Sequence, residues 1–472
     1  MRTWSRPTAG DVVASGAGGE RWWRRVAADE DGWLADDEVK GGYVYVALEE
    51  DRERVAILEA MAHRMVYVNG EPRIGNLYQY KETWESSEPR FNYSLIPILL
   101  TPGTNDLIFQ GGRLAGIKVT LHEPRSPVMI NERDVTVPDL IVGKPVDDWA
   151  AVTLVNASTR PADDLILVAL LESNKETRVR VPTIQPLSVF KVPFKISGKA
   201  PALPGKQRLR LRVIRPAGGS QGVVDERETV LDAKRPNENQ KRTFVSGIDG
   251  SVQYFSVNPA QNADSAAALF LSVHGAAVEA INQSGAYKAK SWGHIVAPTN
   301  RRPYGFNWED WGRVDAIEVL GISMRTLGVD ERRVYLTGHS MGGHGAWHIG
   351  MLYPDRFAAL GPSAGWISFW SYRPSRAVDM DTPIEKMLMR ATSPSRTMAL
   401  AENLEPLGVY VLHGADDDNV PATESQRIVS HLETFHRDFI YHEEPDAGHW
   451  WDKSDEDGAD CVDWFPMFDF FA

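Results

Sequence analysis

The strongest constraint in this chain is the run Val334-Tyr-Leu-Thr-Gly-His-Ser-Met-Gly-Gly-His-Gly-Ala-Trp347. Val334 to Leu336 reads as a short apolar strand, Gly343 to Tyr353 as a helix stopped by Pro354, and Gly338-His-Ser-Met-Gly342 between them fits G-x-S-x-G. Strand, sharp turn and helix is the setting in which that pattern lifts a serine hydroxyl above a sheet. Such a turn strains the backbone at Ser340, and the glycines let strand and helix approach closely. The Met341 amide then stands at a helix N-terminus, where developing negative charge is stabilised. Gly361-Pro-Ser-Ala-Gly365 also fits the pattern, but no amphipathic helix opens after Gly365. Ser363 therefore reads as a small residue at a strand end.

A serine hydroxyl needs a base within hydrogen-bond reach and a group that orients the base. In sheets of this kind the acid and then the histidine follow the serine in the chain. The acid is expected in Leu412-His-Gly-Ala-Asp-Asp-Asp-Asn-Val-Pro421, where three aspartates compete. The base is expected at His449, in Pro445-Asp-Ala-Gly-His-Trp-Trp451, a loop after the apolar Phe439-Ile-Tyr441. Other histidines fit less well. His339 lies inside the turn and is expected to point away from Ser340 by strand alternation. His344 and His348 read as packing or surface groups, and His413 as a structural residue at a strand end. The loop after the strand ending at Val273, His274-Gly-Ala-Ala277, should supply a second amide for an oxyanion, assigned to Ala276 and paired with that of Met341.

Composition narrows the field further. A chain of 472 residues suggests roughly two to four domains. A net charge of −13 opposes nonspecific binding to nucleic acid. No apolar run is long enough to span a membrane. Met1 to Pro7 lacks the apolar core of a secretory signal, yet a secreted or periplasmic chain whose signal has been removed reads the same way, so the compartment stays open. Cys461 is the single cysteine, which excludes an internal disulfide and a thiolate metal cluster. His344 and His348 are spaced i, i+4, but H-E-x-x-H is absent, and no phosphate loop is present. No metal or cofactor is expected.

Short apolar strands separated by turn signals fill residues 43 to 121, with Asn69-Gly70 a hairpin signal. They predict an N-terminal β-sandwich over 1–126. A second set between 150 and 213 predicts another β-sandwich over 127–235, of about a hundred residues. In it Arg208, Arg210 and Arg212 read as a solvated strand face. Asp232 to Arg242 reads as a linker. From 236 to 472, near-continuous apolar runs such as Ala267–Val273 and Val409–Leu412 alternate with helical stretches, including one over 308–327. That alternation predicts a doubly wound, mostly parallel sheet.

With Val273-His-Gly275, Asp330 to Gly343, Tyr353-Pro-Asp-Arg-Phe357, Leu412-His-Gly414 and Gly448-His449 in order, residues from about 240 onward resemble the α/β-hydrolase superfamily. Within it they look like prolyl-oligopeptidase-like, polyhydroxybutyrate-depolymerase-like and feruloyl-esterase-like enzymes. The resemblance to the His-Gly-x-x-Asp-x-x-Val-Pro signature selects Asp417 as the acid, leaving Asp416 and Asp418 as turn formers. It implies a serine hydrolase with catalytic Ser340, Asp417 and His449. True prolyl oligopeptidases carry a propeller, which the β modules here do not resemble, so an esterase is expected. The string Val-Tyr-Val-Asn-Gly and a later Pro-Gly-Thr-Asn make the first module similar to galactose-binding jelly rolls, and the second is immunoglobulin-like or fibronectin-like. Aromatic residues gather on loops near the expected site. Tyr304, Trp308, Trp366, Trp370 and Trp450 are candidates to bind substrate by stacking, with a hydrophobic lid or core as the alternative. The expected partner is a small-molecule or saccharide ester, with neither nucleic acid nor membrane.

Overall fold

A computed structural model describes the chain except residues 1–4, 17–18, 77–93, 113, 173, 218–219, 262–265, 302–304 and 373–381, and except the side chains of 14–16, 217, 220–221 and 370. It forms two compact units. The first comprises 1–135, 150–198 and 207–230; the second comprises 136–149, 199–206 and 231–472. The second predicted β module is thus shared between them.

The first unit contains two four-stranded antiparallel sheets. One joins Trp33–Ala35, Gly116–His122, Arg54–Met61 and Ile96–Leu100; the other joins Tyr43–Glu50, Gly103–Gly111, His63–Val68 and Glu71–Asn76. Leu58, Ile98 and Ile117 from one sheet and Val66, Leu107 and Phe109 from the other meet in a single core. The hairpin at Asn69-Gly70 forms as expected, because both residues take the positive φ that a tight two-residue turn demands. Further along, Leu209, Leu211 and Val213 are fully buried while Arg210 and Arg212 face Glu228 and Glu176 on the wet side. The basic stripe is a solvated strand face.

The second unit is built on an eight-stranded sheet. Its strands are β1 (Gln240–Val245), β2 (Val252–Asn258), β3 (Ala267–Val273), β4 (Gly293–Ala297), β5 (Val329–His339), β6 (Ala359–Ser363), β7 (Gly408–Gly414) and β8 (Phe439–Glu444). Their order is β1-β2-β4-β3-β5-β6-β7-β8; β1 and β2 are antiparallel and the strands from β4 onward are parallel. The apolar run of β3 explains itself here. Leu269, Leu271 and Val273 enter one core, while Ala268 and Phe270 enter the core on the opposite face. A strand covered on both faces has no wet side and so no polar alternation. The main helices are α1 (Asp310–Thr326), α2 (Met341–Leu352), α3 (Thr423–Leu432) and α4 (Phe465–Phe471).

Two expectations need correction. The helix expected over 308–327 starts at Asp310, because Trp308 is held at φ 62° before it. The linker expected over 232–242 is much shorter. Asp232 to Lys234 end one strand and Gln240 begins β1, whose Lys241 amide donates to Asp139 and whose Thr243 hydroxyl donates to the Trp149 carbonyl.

Candidate active site

Ser340 sits between β5 and α2 with φ 60° and ψ −119°, a left-handed strain for a residue with a Cβ. Its amide donates to the Ser363 carbonyl at the end of β6. Ser363 itself is buried and its hydroxyl donates to the Cys461 carbonyl, so it packs and does not face the site. The tight turn depends on close backbone contact. A Cβ at Gly342 would lie 1.9 Å from the Val273 carbonyl oxygen. α2 is therefore pressed against the end of β3, and Met341, its first residue, has an amide with no acceptor inside the helix.

The loops after β7 and β8 bring the other two groups. His449 Nε2 lies 2.9 Å from Ser340 Oγ, and His449 Nδ1 lies 2.8 Å from Asp417 Oδ2. A carboxylate only accepts, so Nδ1 carries the hydrogen and Nε2 is free to accept the serine proton. The Asp417 carboxylate also accepts from the Asn419 and Val420 amides through Oδ1. Burial alone would raise its pKa, but hydrogen bonds from His413, His449 and the Val420 amide hold it well below the usual carboxylate range. The acid and base loops are themselves joined, since the Asp416 amide donates to the Ala447 carbonyl.

The loop after β3 reaches the same place. A Cβ on Gly275 would meet the His339 carbonyl and, at 3.7 Å, the Ser340 Cβ. Buried His274 shapes this loop: Nδ1 faces the Gly275 carbonyl and Nε2 the Thr299 carbonyl. Ala276 follows Gly275 directly, and Ala277 takes φ 64°.

The aromatic candidates divide. Trp308 is 0% exposed; its indole N–H donates to the His274 carbonyl and its ring packs on Gly345. It supports the β3 loop from beneath and offers no face to a substrate. Trp366 is 5% exposed and stacks on both His344 and Tyr372, so it too is core. The physical reason is shared: burial outweighs exposure for so large an apolar surface. Trp450 is 57% exposed beside His449 and remains available. Tyr304 and the side chain of Trp370 lie outside the described residues.

Three histidines matter more than their sequence context suggested. His339 reaches the backbone of His449. His413 Nε2 lies 2.9 Å from the Val420 carbonyl and 3.3 Å from Asp417 Oδ2, which places it behind the acid. His344 is buried on α2, bonded to the Trp366 carbonyl and to Glu309. For His413 the sequence signal is its place directly after the apolar run Val409–Leu412, where burial demands a polar partner.

Residues 301–467 match the model of the prolyl oligopeptidase family. An uncharacterized secreted protein of Arthroderma benhamiae is 26% identical over 401 residues, which are 76% of this chain and 42% of that protein. The chain thus spans less than half the length of this curated relative. Among solved structures, FphF, a fluorophosphonate-binding serine hydrolase of Staphylococcus aureus, is 13% identical over 45% of this chain and 92% of its own, with a TM-score of 0.37. A CE1 ferulic acid esterase from Anaeromyces mucronatus is 15% identical over 45% of this chain and 85% of its own, with a TM-score of 0.32. The family match takes in the elbow, the acid loop and the base loop, and the sheet follows the order described above. The chain carries an α/β-hydrolase domain of the serine hydrolase type.

Proposed function

We propose that this protein is a serine esterase that cleaves carboxylic esters, among them esters of carbohydrates, through an acyl-enzyme on Ser340. The observation that carries the reading is the continuous hydrogen-bonded chain Ser340–His449–Asp417, built on a strained elbow. In this mechanism Ser340 Oγ attacks the ester carbonyl carbon while His449 Nε2 takes its proton. The amides of Met341 and Ala276 hold the oxyanion. His449 then returns the proton to the leaving alcohol, and the C–O bond breaks. Water repeats the sequence to release the acid and restore the serine. Asp417 keeps the imidazole in the tautomer this requires.

Trp450 is assigned to substrate contact because its exposed indole stands beside the base. Aromatic acyl groups and sugar faces are the chemistry such a surface suits. The three-part organisation belongs to the same reading: a jelly-roll-like module at 1–126, an immunoglobulin-like module at 127–235 and the catalytic domain at 236–472. The first of these modules is supported by the two four-stranded sheets that share one core. A location outside the cytoplasm is supported by the description of the Arthroderma relative as secreted. Among the described residues no helix is long and apolar enough to cross a membrane.

The second reading, a serine peptidase, is favoured by the family match. Matched ester and anilide substrates separate the two. Ser340→Ala should abolish p-nitrophenyl acetate turnover and fluorophosphonate labelling while preserving the melting transition; turnover that survives would refute the assignment. A panel of acetyl, feruloyl and glucuronoyl sugar esters then identifies the acyl group.

A further inference from the structure

Consecutive residues of the elbow grip the base at two points. Ser340 Oγ meets the His449 ring at Nε2 over 2.9 Å. His339, one residue earlier, meets the backbone of the same histidine: its Nε2 lies 2.8 Å from the His449 carbonyl oxygen. A carbonyl only accepts, so His339 Nε2 carries the hydrogen. The two imidazoles stand 4.8 Å apart between centroids, and the Trp450 ring lies perpendicular to that of His339 at 5.5 Å between centroids.

The base loop has few other ties. The Ala447 carbonyl accepts from Asp416 and the Trp451 carbonyl from Cys461. Between those anchors, the bond from His339 is the only hydrogen bond made by the backbone of residues 448–450 among the described residues. His339 is buried, and burial pushes its pKa down to about 3, so the donor stays a neutral ring wherever a histidine base can work.

We propose that His339 is a positioning residue that fixes the reach of His449 to Ser340 by holding the base's own carbonyl. The inference rests on the serine-esterase reading of Ser340 and His449. Because the clamp and the nucleophile are adjacent in one rigid turn, the distance from serine to base becomes a local property of the elbow. A loop free to drift would lose the aligned contact that proton transfer requires.

The test compares two substitutions of equal length. His339→Gln places an N–H the same number of covalent bonds from the backbone; His339→Met keeps the length and removes the donor. On p-nitrophenyl acetate the Gln variant should stay within about threefold of the native kcat, while the Met variant should lose about tenfold or more in kcat with KM changed by less than about twofold. Fluorophosphonate labelling should slow in proportion. Equal kcat in the two variants, or a loss confined to KM, overturns the proposal. Should the Met variant show no cooperative melting, His339→Asn, whose amide is too short to reach, takes its place against Gln under the same criteria. Ser340→Ala measured alongside separates the two ideas. Turnover surviving in that variant removes the serine reading itself, whereas an inactive Ser340→Ala with equal Gln and Met variants removes only the clamp.

Discussion

The Asp417 carboxylate and the His449 imidazole are joined over 2.8 Å, yet the side chain of the first is fully buried and that of the second keeps 18% of its surface exposed. The asymmetry suits their proposed roles. The charge that orients the ring is shut away from water, where its field is least screened. The ring that must exchange protons with substrate and water stays open on one side.

Asp417→Asn tests this pairing. An amide can donate to Nδ1, which would leave the hydrogen on Nε2 and deprive Ser340 of its acceptor. We expect kcat on p-nitrophenyl acetate to fall by about 10⁴-fold, the scale seen when a triad acid is neutralised, with the melting temperature little changed. A loss below tenfold would place the acid elsewhere.

Gly342→Ala tests the elbow. The added methyl would sit 1.9 Å from the Val273 carbonyl oxygen, against backbone that cannot swing aside. The expected cost is about 3 kcal/mol or more, because overpacking here must move α2 off β3. Calorimetry on the purified variant measures it; wild-type stability would show that the helix can shift freely.

Trp450→Ala tests the exposed indole. If the ring stacks on acyl or sugar groups, its removal costs about 1 kcal/mol of binding, or roughly fivefold in KM, for feruloyl esters. Acetyl esters, which have no ring to stack, should be unaffected. Equal effects on both would assign Trp450 to the support of His339 and the base loop.

His63 sets an expectation for pH in the first unit. It is fully buried against Phe109, and burial lowers its pKa to about 4. In the unfolded chain the ring takes a proton near pH 6.5, while the folded ring resists until about pH 4, so the unfolded state binds more protons in that window. Stability contributed by the neutral ring is complete above about pH 6.5 and lost as pH falls through the window, by up to about 3 kcal/mol. His63→Leu should flatten this acid slope in calorimetric melts from pH 7 to pH 4. An unchanged slope would mean that the ring is protonated in the fold.

The parts of this protein legible without coordinates are those whose cause lies among chain neighbours. The unbroken apolar run of β3 meant two covered faces, Asn69-Gly70 meant a hairpin, and the glycines around Ser340 meant a turn where helix and strand touch. Even His449 and the aspartate cluster could be placed, because each follows a strand of the parallel set and the ends of such strands share one edge. Contacts between distant segments were decided only by folding. Trp308 looked like a loop aromatic free to meet a ligand, but the glycine at 345 and the carbonyl of His274 turned it inward. His339 was expected to face away from the serine, but what it meets, the carbonyl of His449, depends on a loop more than a hundred residues further on. Local pattern sets each residue's backbone and the side of the strand it occupies; only the packed sheet determines which residue waits on that side.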